Sequence, residues 1–198
     1  ALGRAAYAVD SKGIQFEAVK VLSEKGLSVS TAESCTGGLV SEMLTDVSGS
    51  SKVFEYGISA YSNRIKTEIL KVPEAIITSY SAISRETAMY MAKNVREISG
   101  STIGISITGN AGPEPSEGKA VGVVFVGIAD KTNYYVTELS LSPTLSRDDI
   151  RAHAAAVALN LIRRYAESYP TPISGMIKYN ETVTEPVAPM PIITEVPV

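Results

Sequence analysis

The stretch VGVVFVGIA, residues 121–129, constrains the fold of this chain more than any other. It is apolar without interruption and too short to be a buried helix of ordinary length. A run of this kind fits a strand in the middle of a sheet that is covered on both faces. NYYVTELSLS follows after a short turn and reads as its hairpin neighbour. Upstream, STIGISITG alternates, with Ile103, Ile105 and Ile107 on one face and Gly104, Ser106 and Thr108 on the other. A sheet of such strands needs helices on both sides.

The rest of the chain supplies those helices. Residues 13–26 read as an amphipathic helix stopped by Gly26, and LSVSTA then alternates as a strand. LVSEMLTD reads as a helix, FEYGISAYS as a strand, and NRIKTEILKV as a short helix ending before Pro73. Ser84 and Gly100 bracket a further helix, SRETAMYMAKNVREISG. Ser146, with Asp149 three residues on, opens the last one, with Ile150, Ala154, Val157, Ala158 and Leu161 as its apolar stripe. Strands and helices alternating in this way, with one antiparallel hairpin, predict a three-layer α/β/α sandwich around a mixed, mostly parallel sheet. Six of the ten prolines fall from Pro170 onward, which marks residues 169–198 as an extended tail. The folded domain is expected at 13–168.

Composition narrows the function classes. The net charge of −3 gives no electrostatic footprint for nucleic acid. No apolar run reaches the roughly 18 residues of a membrane span, and the first residues lack a secretory pattern. A single cysteine cannot build a disulfide framework, so a cytoplasmic setting is expected. One histidine, His153, leaves little room for a Cys/His metal site or for a histidine base, and no metal or cofactor is expected.

Chemistry concentrates in TAESCTGG, Thr31–Gly38. Ser34 falls where a strand gives way to a helix, and amide N–H groups there lack intrahelical acceptors. Gly37 and Gly38 permit close approach to the backbone. Nucleophile and oxyanion donors can share such a segment, although a Ser or Thr at this point also serves as a plain helix cap. Cys35 is the rival nucleophile. Glu33 either bonds the turn's amides or positions a water.

The segments TAESCTGG, LTDVSGSS, AYSNRIK, SAISRETA and ITGNAGP, in this order and spacing, resemble the C-terminal domain of the CinA family of competence/damage-inducible proteins. Stand-alone relatives in that family are nicotinamide-mononucleotide amidohydrolases of the PncC type. The resemblance runs from about Leu2 to Tyr165. LGRAAYAVD is similar to the stretch that joins this domain to a larger N-terminal partner, so residues 1–12 are expected to be a linker remnant.

This resemblance implies hydrolysis of the carboxamide of nicotinamide mononucleotide to nicotinate mononucleotide and ammonia. It further implies a Ser34 nucleophile, a Lys66 base in YSNRIK and a homo-oligomer. A lysine serves as base only when neutral, so its pKa must fall from about 10.4. Tyr61 is expected to orient Lys66, to shuttle a proton or to pack under the sheet edge. Glu33, Cys35, Thr36, Gly37 and Gly38 are expected around the reacting carbonyl. Thr108, Gly109, Ala111 and Gly112 are expected to form a substrate loop at a strand end. Arg147 is a candidate for the phosphate, alongside Arg151 one turn later. The loop GNAGPEPSEGKAVGVV departs from the family's usual pattern at Asn110 and Val123, which leaves open a ligand-binding or interaction module with little hydrolase activity.

Overall fold

A computed structural model describes residues 13–169 and the backbone of 177–179. Helix α1 (Ile14–Lys25) is followed by β1 (Val29–Glu33), α2 (Leu39–Thr45), a 3-10 turn (Ser50–Lys52) and β2 (Phe54–Ser59). Then come α3 (Asn63–Glu68), α4 (Glu74–Tyr80), α5 (Arg85–Ser99) and β3 (Ile103–Gly109). β4 (Val123–Ala129), β5 (Tyr134–Ser140), α6 (Arg147–Ser168) and β6 (Ile177–Tyr179) complete the order. The linker expected at residues 1–12 lies outside the described residues. So does the tail, except for Tyr169 and the short β6.

Capping fixes the helix ends. Gly26 takes a left-handed φ of 64° and closes α1. The hydroxyls of Ser84 and Ser146 accept from Thr87 N–H and Asp149 N–H, each at 3.1 Å. Helix α3 is shorter than the sequence pattern suggests. Lys71 at φ 55° turns the chain left-handed, and a separate α4 starts directly after Pro73.

The sheet order is β2-β1-β3-β4-β5-β6. β2, β1 and β3 run parallel, while β4, β5 and β6 follow as an antiparallel meander. β4 therefore has a strand on each side, as its apolar run demands.

Helices α1, α2 and α6 cover one face and α5 the other, so the chain is a three-layer α/β/α sandwich. Ile103, Ile105 and Ile107 join the larger core with Leu22, Val40, Ile150, Leu159 and Ile162. The opposite face of β3 is built of small residues so that α5 can come close. A Cβ on Gly104 would stand 2.0 Å from Ala92 O, and one on Gly127 would stand 2.6 Å from Ala88 O. Ser106 and Thr108 convert that proximity into bonds, donating at 2.6 Å to Ala88 O and Ala82 O. The same packing places the chain just before α5 beside the C-terminal end of β3. There the parallel strands β1, β2 and β3 all stop.

Candidate active site

A cleft of about 420 Å³ opens at that end of the sheet. Open α/β sheets bind ligands beyond the carboxyl ends of their strands, and the chain leaving β1, β2 and β3 lines this opening. Ser34 comes directly after β1, Lys66 lies in α3 beyond β2, and Thr108–Gly112 close β3 and begin the loop after it.

Ser34 and Lys66, 32 residues apart, meet here with Nζ 3.2 Å from Oγ. Ser34 N–H continues the strand by donating to Ile107 O at 2.8 Å, which fixes the direction of its side chain. Lys66 is only 2% exposed, and its Nζ also donates to Tyr61 O at 3.2 Å. Loss of hydration lowers the pKa of this amine, against the opposing pull of the Glu117 carboxylate and the Cys35 thiol. A buried amine depressed in this way and touching a hydroxyl is a general-base arrangement.

Cys35 lines the cleft but is suited to a different role. Burial pushes its thiol up to about 11, which outweighs the favourable pull of its own backbone N–H, Arg147 and Lys66. At neutral pH it carries almost no thiolate.

Glu33 is fully buried behind the turn and does not line the cleft. Its carboxylate accepts from Gly38 N–H (3.1 Å), Val40 N–H (3.0 Å), Ser41 N–H (2.9 Å) and Ser41 Oγ (2.7 Å). The mouth of α2 is therefore already occupied by an anion of the chain itself. Gly37 N–H turns back to Ser34 O at 3.1 Å. Thr36, Gly37 and Gly38, expected around the reacting carbonyl, lie outside the cleft wall, and they shape the turn instead. Gly37 and Gly38 have φ of 65° and 102°, conformations only glycine adopts freely.

The Tyr61 side chain corrects another expectation. It is 65% exposed, so it does not pack under the sheet edge. Its main-chain carbonyl orients Lys66, while its phenol oxygen accepts from Arg147 Nη2 at 3.3 Å. Arg147 Nη1 donates to Gly112 O at 2.6 Å, which joins the start of α6 to the loop after β3. Arg151 turns away from the cleft to Thr36 O (3.0 Å) and Asp148 (3.3 Å). His153 is exposed on α6, its Nδ1 2.8 Å from Asp149 O.

Residues 110–117 contribute more of the wall than the motifs foretold. Asn110 is buried, its Nδ2 donating to Glu114 O and Lys119 O while its Oδ1 accepts from Gly112 N–H. The residue that departs from the family pattern thus organises the loop internally. Asn63, Ala82, Ile83 and Glu117 also line the cleft, and only their fold-wide placement reveals it. Among the described residues no group of His, Cys, Asp and Glu side chains is arranged to hold a metal ion. No described helix is long and apolar enough to cross a membrane.

The family profile described as the CinA C-terminal domain matches residues 12–166. A competence-damage inducible protein of Caldanaerobacter subterraneus subsp. tengcongensis is 44% identical over 167 residues, 84% of this chain and 40% of its own length. One from Bacillus cereus strain AH187 is 42% identical over 154 residues, 78% of this chain and 37% of its own. The chain thus spans about 40% of the length of the curated relatives it matches. Among solved structures, the competence/damage inducible protein CihA from Agrobacterium tumefaciens superposes with a TM-score of 0.72 at 33% identity. That match covers 78% of this chain and 96% of CihA. The competence damage-inducible protein A of Klebsiella pneumoniae subsp. pneumoniae MGH 78578 gives a TM-score of 0.76 at 24% identity. It covers 79% of this chain and 96% of that one, a likeness of fold.

Proposed function

The chain belongs to the CinA C-terminal domain family, and from that premise we propose that its cleft hydrolyses the carboxamide of nicotinamide mononucleotide, releasing ammonia. One observation carries the reading: a buried, pKa-depressed amine 3.2 Å from a hydroxyl at a strand-to-helix turn. The cleft volume of about 420 Å³ lies within the roughly 300–1,000 Å³ of small-molecule sites. Its wall carries Arg147 for a phosphate and the carboxylates of Glu114 and Glu117.

In the proposed cycle, neutral Lys66 Nζ accepts the Ser34 proton as Oγ attacks the carboxamide carbon. Tyr61 O holds one N–H of the amine, so the lone pair faces the hydroxyl. The amides of Thr36 and Ala111 donate to no acceptor among the described residues, and that of Cys35 contacts only its own thiol. Of these, Cys35 and Ala111 line the cleft, and their N–H groups serve the developing oxyanion. The lysine ammonium then protonates the amide nitrogen, the C–N bond breaks and ammonia leaves. Water, deprotonated by the same amine, attacks the nicotinoyl ester, and the ammonium returns its proton to Ser34.

The test is ammonia release from nicotinamide mononucleotide by the wild type, Ser34→Ala and Cys35→Ala. Release by the wild type and the Cys35 variant, with a loss of at least about 10³-fold in the Ser34 variant, is expected. Retention of the mononucleotide without any release by the wild type would make the cleft a binding site and refute the hydrolase reading.

A further inference from the structure

Glu117 stands out on backbone grounds before its charge is considered. Ser116 and Lys119 exchange backbone hydrogen bonds at 3.1 and 2.9 Å, so Glu117 and Gly118 are the two central residues of a tight hairpin turn. Both are left-handed, at φ 51° and 72°. Turns of this kind favour Asn-Gly or Asp-Gly, so a glutamate in the first place is held there against its preference. Only three non-glycine residues among those described take positive φ, and Ser81, at 80°, is another of them. These two uncommon positions meet, with Ser81 Oγ donating to Glu117 Oε2 at 2.9 Å. Strain shared across a contact at a cleft wall points to a role for that contact.

The carboxylate reaches further. Glu117 Oε2 also accepts from Ala82 N–H at 2.6 Å, and Oε1 accepts from Asn63 Nδ2 at 3.4 Å. Asn63 opens α3, which carries Lys66 one turn later, and Ala82 lies just before α5, its carbonyl gripped by Thr108. One side chain therefore ties the β3–β4 segment to the elements that hold both the amine and the end of β3. We propose that Glu117 is a positioning residue of the Ser34–Lys66 site, fastening the 113–119 segment as a wall of the cleft and setting a fixed negative charge toward the amine. This inference rests on the reading of Lys66 as base.

The electrostatics agree. Desolvation favours the protonated acid, but the bonds from Ser81, Ala82 and Asn63, with the Lys66 charge, hold the Glu117 carboxyl below its usual range. Glu117 is in turn the strongest charge opposing the depression of Lys66. The other titratable or charged groups near the amine include Cys35 from the β1–α2 turn and Tyr61 before α3, both lining the cleft, with Glu33 at the end of β1 behind the turn. Arg147 from α6 and Glu114 from the segment itself also line the cleft.

Two variants separate the tether from the charge. Glu117→Gln removes the charge but keeps an acceptor of the right reach. Glu117→Asn suits the turn backbone, removes the charge and is too short to reach Ser81 and Ala82. Three readouts apply: NMR titration of the Lys66 Cε resonance, the pH profile of kcat/KM for the mononucleotide, and trypsin cleavage after Lys119. Both variants should lower the Lys66 titration midpoint by about half to one pH unit and carry the acid limb of the rate profile down with it. Only the Asn variant should be cleaved several-fold faster than the wild type. Unchanged Lys66 midpoints in both variants, or an Asn variant as resistant as the wild type, would overturn the proposal. A shifted midpoint and faster cleavage without ammonia release would uphold it while refuting the hydrolase reading.

Discussion

Replacing Lys66 by Met tests the buried-amine argument without any substrate. Met is close to Lys in length and brings no charge into a site where the native side chain is 2% exposed. The substitution removes the contacts of Nζ with Ser34 Oγ and Tyr61 O, each at 3.2 Å and each worth about 1 kcal/mol. It also removes the desolvation of an amine whose folded pKa lies below that of the unfolded chain. Between those two pKa values the unfolded chain holds the proton and the native state does not, so wild-type stability rises with pH. The slope approaches about 1.4 kcal/mol per pH unit inside that window and vanishes below the folded value and above about 10.4. The Met variant lacks this slope. Cys35, raised to about 11 and coupled to Lys66, contributes the opposite slope above about pH 8.5, so both proteins are compared in a Cys35→Ala background. The expectation is therefore a crossing. Near pH 10 the wild type is the more stable by about 1–2 kcal/mol, and toward pH 7 the Met variant gains on it and overtakes it. Urea denaturation of both proteins at unit intervals from pH 6 to pH 10 measures the gap. A gap that stays constant with pH would show that Lys66 titrates alike folded and unfolded, and the base assignment would fall with it.

Two shorter predictions bear on the neighbouring geometry. Gly104→Ala drives a methyl group to within 2.0 Å of Ala92 O and forces α5 off the sheet. A loss of about 3 kcal/mol or more in denaturant stability is expected, and a loss under 1 kcal/mol would contradict the close packing of α5 on β3. Cys35 with its thiol at about 11 should react with iodoacetamide at pH 8 about two orders of magnitude more slowly than an unperturbed thiol. Mass-spectrometric time courses decide this, and reaction at the free-thiol rate would reopen its case as nucleophile.

Much of this arrangement was legible in the sequence because it rests on local pattern. The alternation in STIGISITG separates the isoleucine face from the Gly104–Ser106–Thr108 face, and α5 uses the second face as that separation implies. Capping residues gave the ends of α5 and the start of α6. Helix α4 escaped notice because it has seven residues and buries only Ile76, too little for a period to register. What the pattern left open at the site has a common cause. The group of Tyr61 that orients Lys66 is its carbonyl, which every residue possesses, so the side-chain type could not say which atom acts. Glu33 could equally have faced the cleft, and only the path of the turn sends it behind. Glu117 touches residues 35 to 54 positions away, a separation at which one sequence carries no signal.

The burial of Glu33 also bears on the proposed choice of an oxygen nucleophile beside a sulfur. A helix mouth ordinarily lowers the pKa of a neighbouring thiol and attracts anions. Here three amides and one hydroxyl at the mouth of α2 are already committed to Glu33, and that same carboxylate adds to burial in raising Cys35. Burial first, and Glu33 after it, favour the protonated thiol at neutral pH. A hydroxyl needs no such assistance in the ground state, since its proton leaves only as the bond to carbon forms, and what it requires is a base within reach. Lys66 meets that need through desolvation, an effect that the filled helix mouth does not weaken. In the proposed reading the carboxylate already at the α2 mouth disfavours an anionic substrate group there, and Arg147, across the cleft at the start of α6, is the cation to meet it. Burial, assisted by the Glu33 carboxylate, thus sets two adjacent side chains apart, the Cys35 thiol pushed up and the Ser34 hydroxyl within reach of the Lys66 amine.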